Sequence, residues 1–499
     1  MKKLFSVKRT REFEQALLKN GETEVSLVER VGEKLFKRVI EKPFDKIIVF
    51  VGKGNNGADG LSLADKLLKN GRSVVVVKVF EPQTDASRYF YEKFVGDGGM
   101  IVGLDEAKAD NSLVVDCIFG IGFKGEASGE ALKAINIINE SKKVGAYVLS
   151  VDIPSGLNGD SGMSVTAVQA DETLAVGCLK TGHVLNTAKD HVGKLDLVDI
   201  NFALDVSVAY LLEKTDISSV LPKRKHFSHK NDFGTVGVFG GSVYYGGAAK
   251  LANISACAIS SGAGITRLIT PKCISSLVAP YLLESTYFPC ESNDKTVVFD
   301  RENIDLALDK LTALSFGMGL CATDETFKIL EYILKNKSFK LCIDADGLNC
   351  LSENPSLLDE RTTKSVILTP HVGEFCRLSG AKSEDVIFDP IGYAKAFAKE
   401  HSVVVLLKGT ATVVTDGNDV FISDRGVAGM ATAGSGDVLS GVIAGLLGYN
   451  ELSAFTGACA AFIAGYAAEI ASKNVCDISL TSSITAGQVG RAITELAEK

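Results

Sequence analysis

The chain has no excess of positive charge: 53 lysines and arginines stand against 61 aspartates and glutamates, for a formal net charge of -8. Without a basic field to gather phosphate backbones from a distance, nucleic acid is not expected as a main partner. Also missing is any C-x-x-C pair; the 11 cysteines, an odd number, are scattered from Cys117 to Cys476. That weighs against a disulfide framework or zinc ribbon and suits a reducing cytosol, with the thiols read as small buried hydrophobes. Near the amino terminus no apolar run reaches signal-peptide length, because Lys8, Arg9 and Arg11 interrupt it. The most apolar tract, residues 441–473, is broken at Asn450-Glu451 and by Glu469, so it reads as two packed helices rather than a membrane span. There is no short repeat and no low-complexity tract. A cytoplasmic chain with no membrane partner is expected.

What is present is ordinary globular composition, 46% hydrophobic and 23% charged over 499 residues, enough for about three domains or two large ones. From Asp45 onward short β-branched runs alternate with helical stretches: IIVFV at 47–51, SVVVVKVF at 73–80, LVVDCIF at 113–119 and AYVLSVD at 146–152. Further strands are expected at 172–176 and 194–198. The spacing leaves room for crossover helices, so the first half reads as a doubly wound parallel sheet behind an amino-terminal helical preface. A polar, basic stretch at 213–232 separates this from a second α/β series starting GTVGVFGGS, which sets a boundary between 1–213 and 214–499. In the second series TRLIT, ALSFG, KLCID, SVILT and VVVLLKG are strands, 323–336 and 390–401 are helices, and Asp416-Gly417 predicts a hairpin.

The first glycine loop admits two readings. Gly52-x-Gly54-x-x-Gly57 matches the dinucleotide fingerprint, with Glu81 near the end of the next strand as its ribose acid. That pattern leaves Asn55, Asn56 and Asp59 unexplained, since a phosphate cradle needs only backbone N–H groups there. These side chains either contact a ligand or cation, or serve the backbone, the asparagines in left-handed turns and Asp59 as a helix cap. Asp116 on the third strand and Asp152 at the end of the fourth favour the first view, because carboxyl ends of strands in an open sheet share one crevice.

Through GNNGADG, VVDCIFGIGFKGE and SVDIPSGLNGD, roughly residues 1–213 resemble the NAD(P)H-hydrate epimerase family. The resemblance implies that Asn55, Asn56, Gly57, Ala58 and Asp59, with Gly120, Ile121, Gly122, Phe123, Lys124, Gly125 and Glu126, contact the hydrated nicotinamide nucleotide, and that Asp152 is the acid/base. It also implies a potassium ion held by Asn56, Asp116 and Ser155. Ala58 stands where the family commonly has glycine, and its methyl is expected to crowd the ligand.

In the second half, GVAGMATAGSGDVLSGVIAGLL from Gly426 is a loop of small residues entering a helix with Asp437 at its start. Free N–H groups at Gly434, Ser435 and Gly436 suit a phosphoryl anion, and Asp437 suits a general base for a hydroxyl attacking phosphorus. The plainer alternative makes Asp437 a first-turn acid stabilising the helix dipole. Lys408 before Gly409-Thr410 suits phosphate. His371, after Thr369-Pro370 at a strand end, suits ligand contact. Tyr244 and Tyr245 fit either a core or a lid.

HKNDFGTVGVFGGSVYYGGA, DADGLN, TPHVGEF and GMATAGSGDVLSG make residues 214–499 resemble the ribokinase-like fold, and within it the NAD(P)H-hydrate dehydratase family. The resemblance implies adenine-nucleotide binding by Lys408, Gly409, Thr410, Ala411 and Thr412 and by Val427, Ala428, Gly429, Met430, Ala431, Thr432, Ala433, Gly434, Ser435 and Gly436. It places the hydrated nicotinamide on Gly319, His371, Val372, Gly373 and Glu374, and the chemistry on Asp437. Val427-Ala428 replace the usual Asn-Pro. The expected whole is a Rossmann-like domain followed by a ribokinase-like domain, a homo-oligomer that epimerises the R and S hydrates of NADH and NADPH and dehydrates the S form. ADP is the expected phosphoryl donor, giving AMP and phosphate, with Mg2+ and potassium as the metals. The rival is a ribokinase-type small-molecule kinase fused to a non-catalytic nucleotide-binding module.

Overall fold

The computed structural model describes residues 1–107, 109–202, 206–256 and 260–497. The chain divides into two compact units, Lys3–Ala209 and Tyr210–Lys499, the latter with Met1–Lys2. The division falls at Ala209/Tyr210, where the sequence reading places it after Glu213.

The first unit is built on a seven-stranded, all-parallel sheet. In spatial order the strands are Met100–Val102, Ser73–Lys78, Lys46–Val51, Leu113–Cys117, Tyr147–Val151, Glu172–Val176 and Lys194–Val198. The central strand shows why its sequence is apolar throughout. Ile47, Val49 and Val51 join the core under the helices Glu24–Val39, Asn55–Lys69 and Asp85–Gly96, while Ile48 and Phe50 join the opposite core, which holds Ala134, Ile135 and Ile138 of the helix Gly129–Lys143. With both faces covered, neither parity of the strand can be polar. The chain steps outward from Lys46–Val51 to Met100–Val102 and then returns to Leu113–Cys117. The reversal opens a crevice at the carboxyl ends of Lys46–Val51 and Leu113–Cys117, the usual place for a ligand in such sheets.

One expectation is corrected at the amino terminus. The preface is not purely helical: a short strand, Lys2–Phe5, precedes the helix Val7–Lys19, and its Leu4 and Phe5 pair in parallel with Leu179 and Lys180. Four residues with no periodicity of their own become a strand because a partner is supplied from far along the chain.

In the second unit the order is Ser285–Cys290, Ile265–Pro271, Thr235–Phe239, Ala313–Phe316, Lys340–Ile343, Val366–Leu368, Val404–Leu407, Thr412–Thr415 and Val420–Ser423. Pairing is parallel as far as Val404–Leu407 and antiparallel across the last two strands, which form the expected hairpin around Asp416-Gly417. Beyond them Tyr210 and Leu211 pair in parallel with Phe421 and Ile422. The strand order reverses between Thr235–Phe239 and Ala313–Phe316. The apolar tract forms two helices, Ser435–Leu447 and Ala454–Ala471, as expected. The second is long and apolar enough to cross a membrane, but its apolar stretch is 89% buried and it serves as a core helix. Its neighbour packs closely on the helix Gly246–Ala256: a side chain at Gly441 would lie 2.1 Å from the Ala252 carbonyl oxygen, so several glycines of the second signature are needed for packing.

Candidate active sites

In the first unit the fingerprint glycines have packing reasons. A Cβ on Gly52 would fall 1.8 Å from the Ile118 carbonyl oxygen, and one on Gly57 would fall 2.1 Å from that of Gly52. Glu81 lies beyond the strand end, exposed and paired with Lys78. Neither feature needs a dinucleotide. Asn55–Asp59 are not in a turn: they open the helix Asn55–Lys69, whose N-cap is Gly54, and neither asparagine has positive φ. The left-handed and capping alternatives therefore fail. The Ala58 methyl is fully buried in the apolar core, so it does not crowd a ligand, and only the Ala58 backbone is left to meet one.

Asn56 and Asp59, three residues apart, share one face of that helix. Both polar atoms of the Asn56 side chain and Oδ1 of Asp59 are buried without a partner. A side chain on Gly120 would lie 2.9 Å from Asp152 Oδ2 and 3.4 Å from Asn56 Cβ, so Asn56 and Asp152 border one space that a glycine keeps clear. Asp152 sits at the end of Tyr147–Val151 with a positive φ of 69°, a strained backbone of the kind that concentrates at functional sites. Its Oδ1 accepts from Lys180 Nζ at 2.5 Å and its Oδ2 from the Ile121 N–H at 3.1 Å. Burial alone would raise this carboxyl, but the Lys180 ammonium holds it below the usual carboxylate range. Lys180 is completely buried, and Asp152 more than restores the charge that burial opposes. His183 Nδ1 accepts from the Lys180 N–H, so its Nε2 carries the proton and donates to the Asp152 carbonyl oxygen at 2.7 Å. Burial and Lys180 push that imidazole down to about 4, which keeps it neutral.

Asp116 and Ser155 are brought together as expected. Ser155 Oγ donates to Asp116 Oδ1 at 2.5 Å, and Asp116 Oδ2 accepts from the Ser155 N–H and Ser150 Oγ. Of the loop after Leu113–Cys117, Phe123 stacks on Phe119 at 4.7 Å, while Gly122, Lys124, Gly125 and Glu126 are exposed.

Sequence reasoning missed two residues here, Lys180 and Glu14. Glu14, on the helix Val7–Lys19, is open to solvent, yet enclosure by the surrounding protein and the charge of Asp152 push it up to about 7. The signal for Lys180 was a single cation in the otherwise uncharged run VGCLKTGHVL.

In the second unit, Gly434 caps the helix Ser435–Leu447 with a positive φ of 92° and no side-chain cap, which leaves the first N–H groups of the helix without one. Asp437 lies in its first turn. Desolvation, reinforced by Asp344 and Asp346 against Lys408, pushes its carboxyl up to about 7. Lys408 Nζ donates to Asp344 Oδ1 at 2.9 Å and lies 3.7 Å from Glu374 Oε2. Burial works against that ammonium, and the two carboxylates hold it above its usual range. It is thus not a solvated strand-end cation. A side chain on Gly436 would be 3.4 Å from Lys408 Nζ and 3.7 Å from Asp344 Oδ2, so the helix start, Lys408 and Asp344 face one another. Ser440 Oγ donates to Asp344 Oδ2 at 2.5 Å.

DADGLN is one of the motifs that carry the resemblance, which gives Asp344 itself no role. Between Asp344 and Asp346, Ala345 has φ 47° and ψ -117°, an unusual backbone for alanine. Gly409 and Thr410 are exposed, Ala411 is buried, and Thr412 starts the next strand. Ala428–Met430 form a single turn after Val427, while Ala431, Thr432 and Ala433 are exposed. His371 caps the helix Val372–Ser379: its Nδ1 accepts from the Gly373 and Glu374 N–H groups, and Glu374 Oε2 accepts from the His371 N–H. The ring stays exposed, with Nε2 3.6 Å from Glu374 Oε1. Gly319 has φ 67°, and a side chain on it would strike Tyr245 Cβ at 2.6 Å. Tyr244 and Tyr245 are both exposed, which removes the core alternative for that pair.

Two family models match the chain, one described as YjeF-related protein N-terminus over residues 24–182 and one as NAD(P)H-hydrate dehydratase over residues 236–486. A bifunctional NAD(P)H-hydrate repair enzyme of Moorella thermoacetica is 33% identical over 90% of this chain and 88% of its own length. The enzyme of that name from Escherichia coli is 30% identical over 90% and 86%. Among solved structures, an ADP/ATP-dependent NAD(P)H-hydrate dehydratase from Bacillus subtilis, co-crystallised with ATP/Mg2+, shares 26% identity with a TM-score of 0.50, covering 58% of this chain and 99% of its own. With a Rossmann-like unit carrying Asp152 and Lys180 and a ribokinase-like unit carrying Asp437, Asp344 and Lys408, the chain belongs to the bifunctional NAD(P)H-hydrate repair enzymes.

Proposed function

We propose that the chain restores hydrated NADH and NADPH in two reactions, one per unit. At the second site the nucleotide phosphates lie on the start of the helix Ser435–Leu447 and on Lys408. Asp437 takes the proton of the ring hydroxyl as that hydroxyl attacks the terminal phosphorus of ADP. The phosphate then leaves with that oxygen as the ring nitrogen's electron pair forms a C=N bond, a proton lost to water from the adjacent ring carbon completes the ring double bond, and NAD(P)H, AMP and phosphate result. The observation that carries this is Asp437 itself: a carboxyl held at about 7 beside a lysine and an uncapped helix start is a base matched to neutral pH. Gly319 with Tyr245 and the His371–Glu374 turn border the place for the hydrated ring. Glu374 is committed to His371 and Lys408, and acts by holding them.

At the first site the other epimer is converted with Asp152 as acid/base, and Asn55–Asp59 and the 120–126 loop hold the nucleotide. Potassium is held by Asn56, whose Oδ1 is buried and unpartnered, together with oxygens of Asp116 and Ser155, which bond to each other. Among the described residues no cluster of three or more His, Cys, Asp or Glu side chains is arranged to hold a metal. Mg2+ therefore arrives on the nucleotide phosphates, with few protein ligands. The chain works in the cytoplasm as a homo-oligomer; ten described cysteines, all free thiols, fit a reducing compartment.

The test is recovery of the reduced-ring absorbance from NADH hydrate with Mg2+ and either ADP or ATP. Recovery with faster turnover on ADP is expected. No recovery with either nucleotide contradicts the dehydratase reading, and a clear preference for ATP contradicts the donor alone.

A further inference from the structure

The first crevice holds two carboxyls in opposite situations. Asp152 has a cation, Lys180, and two hydrogen bonds, and its carboxylate is charged. Asp59 has neither. It is 8% exposed, its Oδ1 has no partner, and it sits one turn below Asn56, whose side chain is equally unpartnered and borders the same space as Asp152. Three orphaned polar atoms on one helix face are costly unless a ligand meets them. A buried carboxyl with no cation beside it and with the charge of Asp152 nearby keeps its proton, well above the usual carboxylate range. When two carboxyls in one site are driven apart in this way, one is equipped as acid and the other as base.

We propose that Asp59 is the proton donor of the epimerase reaction and Asp152 the base, and that the epimers interconvert by loss and re-addition of water at the hydroxyl-bearing carbon. The inference rests on the epimerase reading of this crevice and adds a role and a route to it. The ring nitrogen donates its electron pair to form a C=N bond as the C–O bond breaks. The departing hydroxyl takes the proton of Asp59 and leaves as water. A second water then adds to the opposite face of the carbon. Its proton goes to Asp152, and the C=N electron pair returns to nitrogen. One water leaves and one enters, and transfer of the proton from Asp152 back to Asp59 through solvent closes the cycle. In the reverse direction the roles exchange: protonated Asp152 donates to the hydroxyl on its own face, and ionised Asp59 takes the proton of the water that adds on the other. Lys180 keeps Asp152 ionised to receive the proton.

The test uses the full-length chain without nucleotide, so that nothing is dehydrated, and purified R hydrate in heavy-oxygen water. At early times the S product made by the wild type should carry solvent oxygen, read by mass spectrometry. Asp59→Asn should lower epimerisation at saturating hydrate by about 10²-fold or more and still dehydrate S hydrate when ADP is added. An unlabelled S product overturns the route on unmodified protein, whatever the variant does. A variant that keeps more than about a tenth of the rate at saturating hydrate overturns the role of Asp59. A wild type no faster than the uncatalysed reaction overturns the epimerase reading itself.

Discussion

Asp437 and Asp152 are both strand-end or helix-start acids in a buried crevice, yet their neighbours move their carboxyls in opposite directions. Lys180 pairs directly with Asp152 and keeps it charged, while the lysine near Asp437 is already occupied by Asp344. Asp437 is left with like charges around it and titrates at about 7. Dehydration should therefore rise with pH through about 7, because only the ionised form accepts a proton. Asp437→Asn should lower that rate by about 10²- to 10⁴-fold with nucleotide affinity near normal, since the N–H groups of the helix start are untouched. Calorimetric binding beside turnover checks both halves. Asp344→Asn removes the charge that most raises Asp437 after desolvation, so the limb of the pH profile should move to lower pH.

Stability gives an independent sign for the same residue. Its carboxyl is pushed up to about 7 in the folded chain against an ordinary value of 3.8, so across that window the folded state binds the extra proton. Stability from this group then falls as pH rises through the window. Asp437→Asn should consequently melt higher than the wild type at pH above about 7 and show little difference near about pH 4, as measured by calorimetry.

At the scale of elements, the strands that build each crevice were legible because both faces are covered and the runs are apolar. Residues 47–51 and 113–117 needed no tertiary information. Lys2–Phe5 and Met100–Val102 were not legible, since so few residues carry no period and their pairing partners decide them. Lys180 reads locally as one more strand-end lysine, and only the fold buries it against Asp152. Asp344 was visible as part of a motif, but its bonds to Lys408 and Ser440 join residues 64 and 96 positions away. The glycine pattern of the first loop was visible and ambiguous, and the structure assigns Gly52 and Gly57 to close packing. Gly52→Ala would drive a methyl into the Ile118 carbonyl at the reversal point of the sheet. It should cost roughly 2–4 kcal/mol of stability and abolish epimerisation; a variant that melts with the wild type would refute that packing role.

For the whole molecule, the central claim is a division of labour between two units that each carry a complete crevice. Only one epimer suits a shaped dehydratase pocket, so an epimerase in the same chain lets a mixture be consumed to completion. The direct measurement is the time course of NADH recovery from a mixed R and S hydrate preparation with ADP and Mg2+, wild type beside Asp152→Asn. The account predicts that the wild type recovers both epimers, while the variant restores the S fraction at the wild-type rate and then slows to the pace of spontaneous epimerisation. Early recovery of both epimers by Asp152→Asn, or a wild type that stops at the S fraction, would contradict it.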